Sequence, residues 1–258
     1  MAQQPLREIP LHPLEQSSIE IDGLCDRLDG YLAELGLQLD DCSFRPCVEY
    51  LLYVLQVNRI INVTSVRDID DALILHVVDS LSFLRGFSQS FEHARILDMG
   101  TGGGFPGVPL HLATNWSAVL VDSVAKKINV VSTICEHMGI NGVFALHGRL
   151  ETLANDESNR FEYVVARALA PLPVLVEYAS PFLIKGGRLV VSKGSPSPDE
   201  CEQGEKAAYL CGLEHAETIP FELPQAYGSR KILVYEKVIQ PSIRLPRDVG
   251  LAKKSPLA

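Results

Sequence analysis

From residue 95 onward the sequence alternates short apolar segments with amphipathic ones, and this alternation constrains the fold more than any other feature. The apolar segments are predicted strands, at 95–99, 118–122, 143–147, 163–166 and 188–192. The amphipathic segments are predicted helices, at 107–113, 124–138, a short turn after residue 151, and 173–183. Alternation of this kind predicts right-handed crossovers, and therefore a mostly parallel twisted sheet with helices on both faces.

The two ends of the chain follow other patterns. Before residue 93 only helices are predicted, at 19–35, 48–61 and 72–87, because apolar residues recur every three or four positions. Near the other end, a predicted helix at 199–211 is followed by strands at 214–220 and 231–237. A loop containing proline and glycine joins these two strands, so we expect an antiparallel edge to the sheet.

A glycine-rich loop follows the first predicted strand and contains Gly100, Gly102, Gly103 and Gly104. Glycines let the backbone turn sharply and approach a ligand closely, and the next helix points its free N–H groups at that ligand. Asp98, at the carboxyl end of the strand, can accept hydrogen bonds from an ammonium group such as that of methionine. Asp122 ends the second strand and is placed for the two ribose hydroxyls of an adenosine. The loop therefore indicates an S-adenosylmethionine site.

A dinucleotide site is the competing interpretation of this loop. Gly102, Gly104 and Gly107 satisfy the pattern G-x-G-x-x-G, but a lone match of this kind is weakly specific. Asp98 stands where dinucleotide sites usually have an apolar residue, and Phe105-Pro106 stiffens the backbone where a pyrophosphate would bind. We therefore favour S-adenosylmethionine and keep an NAD-dependent oxidoreductase as an alternative.

Residues 98–110 resemble the cofactor segment of the ribosomal RNA small subunit methyltransferase G family, also called glucose-inhibited division protein B. The Phe-Pro-Gly-Val-Pro-Leu continuation after the glycines is the most specific part. Residues 58–65 are similar to the family pattern N-x-x-x-N-L-T-S, with Val63 in place of leucine, and residues 76–80 to H-x-x-D-S. Other matches follow in order, at 121–127, 149–151, 166–170, 193–194, 230–231 and in the tail at 246–257. The resemblance covers residues 45–258.

This resemblance implies a Rossmann-like class I methyltransferase fold and methylation of N7 of one guanine in 16S ribosomal RNA. With the residues of the loop, it implies that the cofactor contacts are Asp98, Gly100, Gly102, Gly104, Phe105, Asp122, Ser123, Leu150, Glu151 and Arg167. The RNA contacts that it implies are Asn62, Arg149, Lys193 and Arg230. It implies no metal.

Two absences from the sequence bear on the methyl acceptor. After the fourth predicted strand the chain reads Ala166-Arg167-Ala168-Leu169, and not the N/D-P-P-Y/F of many amino-methylating enzymes. Cys135, Cys201 and Cys211 lie in predicted helices, and not at the edge where a pyrimidine C5 enzyme needs a thiolate. The residues therefore favour a ring nitrogen or oxygen as acceptor, which requires no general base.

The net charge of −9 argues against a broad electrostatic grip on nucleic acid. Residues 1–41 contribute nine acidic and only two basic side chains to it, so a local basic cleft elsewhere remains compatible with an RNA substrate. No apolar run reaches the roughly 20 residues of a membrane span, and residues 1–13 lack the apolar core of a signal peptide. We expect a cytoplasmic monomer that acts on 16S ribosomal RNA or on the small ribosomal subunit and does not associate with a membrane.

Four regions follow from these patterns. They are a flexible lead-in (1–16), an N-terminal helical subdomain (17–92), an S-adenosylmethionine-binding Rossmann-like domain (93–240) and a basic C-terminal tail (241–258) on the surface. The alternative from another functional class is a non-enzymatic RNA-binding or regulatory protein that keeps a cofactor-binding fold.

Overall fold

A computed structural model of the chain describes residues 9–88, 91 and 93–258. The strands in these residues are β1 (Arg95–Met99), β2 (Ser117–Asp122), β3 (Val143–His147), β4 (Phe161–Arg167), β5 (Leu183–Lys193), β6 (Leu213–Glu222) and β7 (Ser229–Lys237). They form one sheet in the order β3-β2-β1-β4-β5-β7-β6. The first five strands are parallel, and β7 runs antiparallel to both β5 and β6. The predicted parallel sheet with an antiparallel edge is confirmed.

Helices cover both faces of this sheet. The α-helices are α1 (Ser18–Glu34), α2 (Asp41–Asn58), α3 (Ile69–Ala72), α4 (Asp79–Leu81), α5 (Gly107–Thr114), α6 (Ala125–Met138), α7 (Leu150–Leu153), α8 (Leu172–Ala179), α9 (Pro198–Leu210) and α10 (Leu251–Lys254). A π-helical turn (Leu73–Val78) joins α3 to α4, and a 3₁₀ turn (Ser82–Gly86) follows, so that residues 69–86 form one continuous helical segment. A 3₁₀ turn (Pro224–Ala226) lies between β6 and β7.

The second helix begins earlier than its sequence pattern suggests. The predicted start at residue 48 is wrong, because α2 already begins at Asp41. Pro46 lies inside the helix, where its missing N–H removes one main-chain hydrogen bond. Phe44 and Cys47 are buried in the core, and burial of side chains of this size contributes about 1–3 kcal/mol each. Tertiary burial therefore outweighs the local cost of the proline.

The helix before β5, by contrast, is shorter than predicted. The predicted helix over 173–183 ends too late, since α8 stops at Ala179 and β5 begins at Leu183. Pro181 has no N–H to continue the helix, and the hydroxyl of Ser180 donates to the carbonyl of Cys211 at 2.6 Å. The fifth strand is consequently longer than predicted.

A separate hydrophobic core fills each face of the sheet. Successive strand residues point to opposite faces, so Ile96 lies in the first core and Leu97 in the second. The first core also contains Leu28 of α1 and Leu51 of α2, so the N-terminal helices pack directly on the sheet. The division at residues 92 and 93 stays a prediction. Glu92 itself, like residues 1–8 of the predicted lead-in, lies outside the described residues.

The C-terminal tail lies largely on the surface, but it is anchored to the rest of the protein. Ala252 of α10 is 1% exposed and belongs to the second core. Arg247 forms an ion pair with Glu177 of α8 at 2.5 Å. The sequence did not reveal this anchoring because the two partners are 70 residues apart. Among the helices of the described residues, none is long and apolar enough to cross a membrane.

Candidate active site

The glycine loop between β1 and α5 adopts a backbone that few other residues could follow. Gly100, Gly102 and Gly104 have φ values of +75°, +59° and +90°, in the left-handed region that favours glycine. A Cβ at Gly104 would stand 2.0 Å from the hydroxyl oxygen of Tyr50. That hydroxyl donates to the carbonyl of Gly103 at 3.0 Å, so α2 holds the loop from behind.

Asp98 organises the loop from the end of β1. Its Oδ2 accepts hydrogen bonds from the hydroxyl of Thr101 at 2.6 Å and from the N–H of Gly107 at 2.8 Å. The carboxyl group is fully buried, and this burial raises the pKa of Asp98 to about 6. Its Oδ1 is also buried and has no hydrogen-bond partner among the described residues. A buried acceptor without a partner leaves one hydrogen bond for a water or a ligand to make.

Asp122 plays the matching part at the end of β2. Its Oδ2 accepts from the N–H of Gly102 at 3.0 Å, and its Oδ1 accepts from the N–H of Val124 at 2.8 Å. Each carboxylate oxygen has a second lone pair, so both can still accept from ligand hydroxyl groups. The two acidic residues thus fix the loop from neighbouring strands.

A cavity of about 290 Å³ opens at the carboxyl ends of β1 to β4. This is the position where the strand order reverses around β1, and where open α/β sheets bind their ligands. Its lining comprises Gly100, Val121, Asp122, Ser123, Val124, Lys127, Gly148, Arg149, Leu150, Glu151, Ala168, Leu169, Tyr178 and Lys253. The lining combines carboxylates, hydroxyl groups, basic side chains and apolar side chains, which suits a nucleoside with polar substituents.

The structure therefore brings together half of the predicted cofactor residues. Gly100, Asp122, Ser123, Leu150 and Glu151 line the cavity. The other five, which do not line it, are Asp98, Gly102, Gly104, Phe105 and Arg167. Asp98, Gly102 and Gly104 shape the glycine loop. Phe105 and Arg167 instead contact the helical segment 69–86.

Phe105 does not line the cavity, and its ring stacks on the imidazole of His76 at a centroid distance of 4.9 Å. His76 Nε2 lies 2.7 Å from the hydroxyl of Thr64. Burial, with a smaller effect from the charge of Arg167, lowers the pKa of His76 to about 4. A neutral imidazole therefore packs under the cofactor loop.

Arg167, at the end of β4, bonds to the helical segment. Its Nη1 donates to the carbonyl of Leu75 at 2.7 Å and to Oδ2 of Asp79 at 3.2 Å. The Nε of Arg230, from β7, lies 3.6 Å from the same carboxylate oxygen. The hydroxyl of Ser192 donates to the other oxygen of Asp79 at 3.4 Å. One buried carboxylate thus joins two of the predicted functional arginines.

The four predicted RNA contacts do not form a single cleft. Arg149 lines the cofactor cavity, whereas Arg230 lines a separate groove of about 450 Å³ beside β6 and β7. Lys193 donates to the carbonyl of Ala170 and to Glu200, each at 2.8 Å. Asn62 is exposed in the turn after α2.

A different asparagine orders that turn. The Oδ1 of Asn58 accepts from the N–H groups of Val63 and Thr64 at 2.8 Å and 3.0 Å. Its Nδ2 donates to the carbonyl of Thr64 at 2.9 Å. Asn58 opens the same sequence motif as Asn62, and this motif was the signal that could have identified it, although the predicted helix over 48–61 placed Asn58 within the helix.

Sequence reasoning also missed Asp79, Tyr178 and Lys253. Asp79 and its neighbour His76 stood in a quoted motif, but no local pattern indicates a partner 88 residues away. Tyr178 reaches the cavity from α8, and burial followed by the nearby Glu151 carboxylate raises its pKa to about 12. Tertiary contacts alone bring these three residues to the functional region, so the sequence pattern gave no signal for them.

A larger cavity, of about 430 Å³, lies elsewhere, between α2, the loop after it and the lead-in. Leu14, Arg59 and Arg67 are among its lining residues, and no predicted cofactor residue lines it. We therefore assign the candidate site to the smaller cavity, where the glycine loop and the strand ends meet.

Residues 45–227 match the family model described as rRNA small subunit methyltransferase G. The chain belongs to this family. A family member from Alkaliphilus oremlandii is 34% identical over 226 residues, which are 86% of this chain and 94% of the relative. One from Deinococcus deserti is 38% identical over 211 residues, 80% of this chain and 86% of the relative. The resemblance that the motifs indicated is confirmed.

Solved structures support the fold independently of the family sequences. A geranyl diphosphate methyltransferase in complex with GPP and sinefungin superposes with a TM-score of 0.53 at 13% identity. The match covers 66% of this chain and 80% of that enzyme. A Bacillus halodurans protein gives a TM-score of 0.50 at 17% identity, over 63% of this chain and 100% of that one. The Rossmann-like class I fold predicted for this chain is confirmed.

Proposed function

We propose that this protein transfers the methyl group of S-adenosylmethionine to N7 of a guanine in 16S ribosomal RNA. The observation that carries the proposal is the cavity at the carboxyl ends of β1 to β4, where Gly100, Asp122, Leu150 and Glu151 converge. Membership of the rRNA small subunit methyltransferase G family supports the reaction and the RNA substrate.

The residues of the cavity fit the proposed cofactor. Gly100, at φ +75°, lets the backbone border the cavity, and a side chain there would stand 2.6 Å from Leu169. Asp122 would accept the ribose hydroxyls, and Val124 and Leu150 offer apolar surface for the adenine. Asp98 is fully buried and does not line the cavity, so its free acceptor would reach the ammonium group of the ligand through a water. When bound, S-adenosylmethionine supplies a methyl group activated by its sulfonium charge.

The proposed methyl acceptor, guanine N7, places few chemical demands on the site. Guanine N7 has an available lone pair, so the attacking step removes no proton and requires no general base. Positioning and electrostatics suffice, and well-oriented groups alone contribute about 7–11 kcal/mol to such steps. In the described residues near the loop, His76 is held neutral by burial beneath Phe105, and its role is one of packing.

We further propose that the protein acts as a monomer on 16S ribosomal RNA, free or within the small subunit. Ribosomal RNA is a cytoplasmic substrate, so we propose the cytoplasm as the compartment. Local positive charge supports RNA binding despite the net charge of −9, because Arg149 and Arg230 both border open cavities.

The test is a transfer assay with methyl-labelled S-adenosylmethionine and either free 16S RNA or small subunits. Nucleoside mass spectrometry should find the label in N7-methylguanosine at one position, located by chain cleavage at that base. Label in amino-methylated adenosine would contradict the acceptor. Binding of S-adenosylhomocysteine and RNA without any transfer would favour a non-enzymatic RNA-binding protein, and tight binding of NADH alone would favour an oxidoreductase.

A further inference from the structure

The C-terminal segment, residues 244–258, folds back over the edge of the cofactor cavity. Arg247 anchors it, since its Nε and Nη2 donate to the two carboxylate oxygens of Glu177 at 2.7 Å and 2.5 Å. Nη2 also donates to the carbonyl of Ser255 at 2.9 Å, which closes the segment on itself. Glu177 is 4% exposed, so this two-pronged ion pair is shielded from water.

A second contact ties the segment to a residue of the cavity itself. The N–H of Gly250 donates to Oε1 of Glu151 at 2.8 Å, and Gly250 has a φ of +83°. This left-handed turn leads into α10, where buried Ala252 packs in the second core. The anchoring on Glu177 and the contact with Glu151 hold α10 at the rim of the cavity.

The result is that Lys253 lines the cavity, together with Asp122, Glu151 and Tyr178. The adjacent Lys254 is exposed and is absent from the lining residues. An ammonium at this position offers up to three hydrogen-bond donors to a ligand. S-adenosylmethionine offers acceptors in its carboxylate, its ribose and its adenine ring.

We propose that residues 244–258 place Lys253 in the wall of the cofactor cavity and that Lys253 is a cofactor-binding residue. The ligand's identity rests on the proposed function, whereas the placement of the segment rests on the contacts above. The sequence alone placed Lys253 and Lys254 in the basic C-terminal tail. The two neighbouring lysines are both exposed, but Lys253 lines the cavity beside Asp122 and Leu150, whereas Lys254 does not.

The experiment compares three variants of the full chain by calorimetry with S-adenosylhomocysteine. Lys253→Met should weaken binding about tenfold, which is typical for loss of a hydrogen bond from a charged donor. Arg247→Met, which releases the anchor, should weaken it by a similar or larger factor. Lys254→Met is the matched control, and its dissociation constant should stay within about twofold of the unmodified protein.

A second measurement does not depend on any variant. Hydrogen exchange at the backbone amides of residues 250–254 should slow when S-adenosylhomocysteine is added, because a ligand in the cavity holds the segment closed. If Arg247→Met fails to fold, as its melting curve will report, Lys253→Met and the exchange data still decide the question.

The outcomes distinguish failure of the proposed function from failure of the role proposed for Lys253. If the unmodified protein does not bind S-adenosylhomocysteine, the proposed function fails and takes this inference with it. If it binds, but Lys253→Met leaves the affinity unchanged, or the ligand does not slow exchange at residues 250–254 of the unmodified protein, only the inference is overturned. Loss of RNA affinity in Lys253→Met with an unchanged S-adenosylhomocysteine affinity would also overturn it.

Discussion

The guanidinium of Arg167, at the end of β4, lies 3.2 Å from the carboxylate of Asp79 in the helical segment before the sheet. Arg230 of β7 approaches the same oxygen, and Ser192 of β5 donates to the other one. The Asp79 side chain is 7% exposed, so the charges attract one another with little screening by water. Three strand ends are therefore positioned by one carboxylate.

Replacement of Asp79 by asparagine should leave two guanidinium groups without their counter-charge. Breaking a buried pair of this kind costs about 3–5 kcal/mol, and the partial exposure of Arg230 lowers the expected loss to about 3 kcal/mol. We expect a lower melting temperature and a KM for RNA that rises about tenfold because both arginines move. Affinity for S-adenosylhomocysteine should stay unchanged, since neither arginine lines the cofactor cavity.

The control for this variant is Asp70→Asn, which removes an exposed ion pair with Arg27. Exposed pairs contribute about 0–1 kcal/mol, so little change is expected in stability or in the KM for RNA. An equal loss of RNA and S-adenosylhomocysteine affinity in Asp79→Asn would instead place Arg167 in cofactor binding, as the family motif implied.

Tyr50→Phe should loosen the cofactor loop and leave the fold intact. The variant removes the donor to the carbonyl of Gly103, and an unsatisfied buried carbonyl costs about 1–3 kcal/mol. Denaturant unfolding should report that loss, and calorimetry should report weaker binding of S-adenosylhomocysteine. Tyr53→Phe, in the same helix, removes only a contact with exposed His137 and should change neither value. Equal effects of the two variants would contradict the role of Tyr50.

Asp98→Asn tests the raised pKa of the buried carboxyl group. The folded value of about 6 lies above the unfolded value of 3.8, so the stabilising contribution of Asp98 is full below pH 3.8. It is lost as the pH rises through about 6. The free energy of unfolding of the asparagine variant should therefore depend less on pH across this interval. Asp156→Asn, at an exposed position, should keep the pH dependence of the unmodified protein.

The same titration should affect cofactor binding in the opposite direction. If the ionised carboxylate receives the ammonium of the ligand, S-adenosylhomocysteine affinity falls as the pH drops below about 6, by up to about tenfold per unit. At saturating S-adenosylmethionine, kcat should stay flat on the alkaline side, because N7 needs no base. A steep rise of kcat with an apparent pKa near neutrality would exclude N7 as the acceptor.

His76→Phe tests the depressed pKa of the imidazole under the loop. The folded value of about 4 lies below the unfolded 6.5, so the stabilising contribution is full above pH 6.5 and is lost as the pH falls through about 4. Between about pH 7 and pH 5 this amounts to about 2 kcal/mol. Phenylalanine keeps the ring contact with Phe105, and the acid destabilisation should shrink. His137→Phe, at the surface, should retain it.

The sequence predicted best what is decided locally. The bounds of β1 and the glycine loop after it are correct, because alternation and left-handed glycines act within a few residues. The start of α2 was missed, since burial of Phe44 in the core is a tertiary effect. Lys193 lies at the predicted strand end, but its ammonium group is paired with the carboxylate of Glu200 in α9. Burial in the core and pairing across a loop leave no periodic trace in the sequence.

The hydrogen bond from Tyr50 to Gly103 spans 53 residues, and it sets a limit on how this enzyme could be shortened or recombined. A fragment that begins at β1 would carry every glycine of the loop and both acidic strand ends. It would lack the hydroxyl that fixes Gly103 and the His76 ring that covers Phe105. Grafting the glycine motif onto another sheet would therefore transfer its amino-acid sequence without the contacts from Tyr50 and His76 that give the loop its shape.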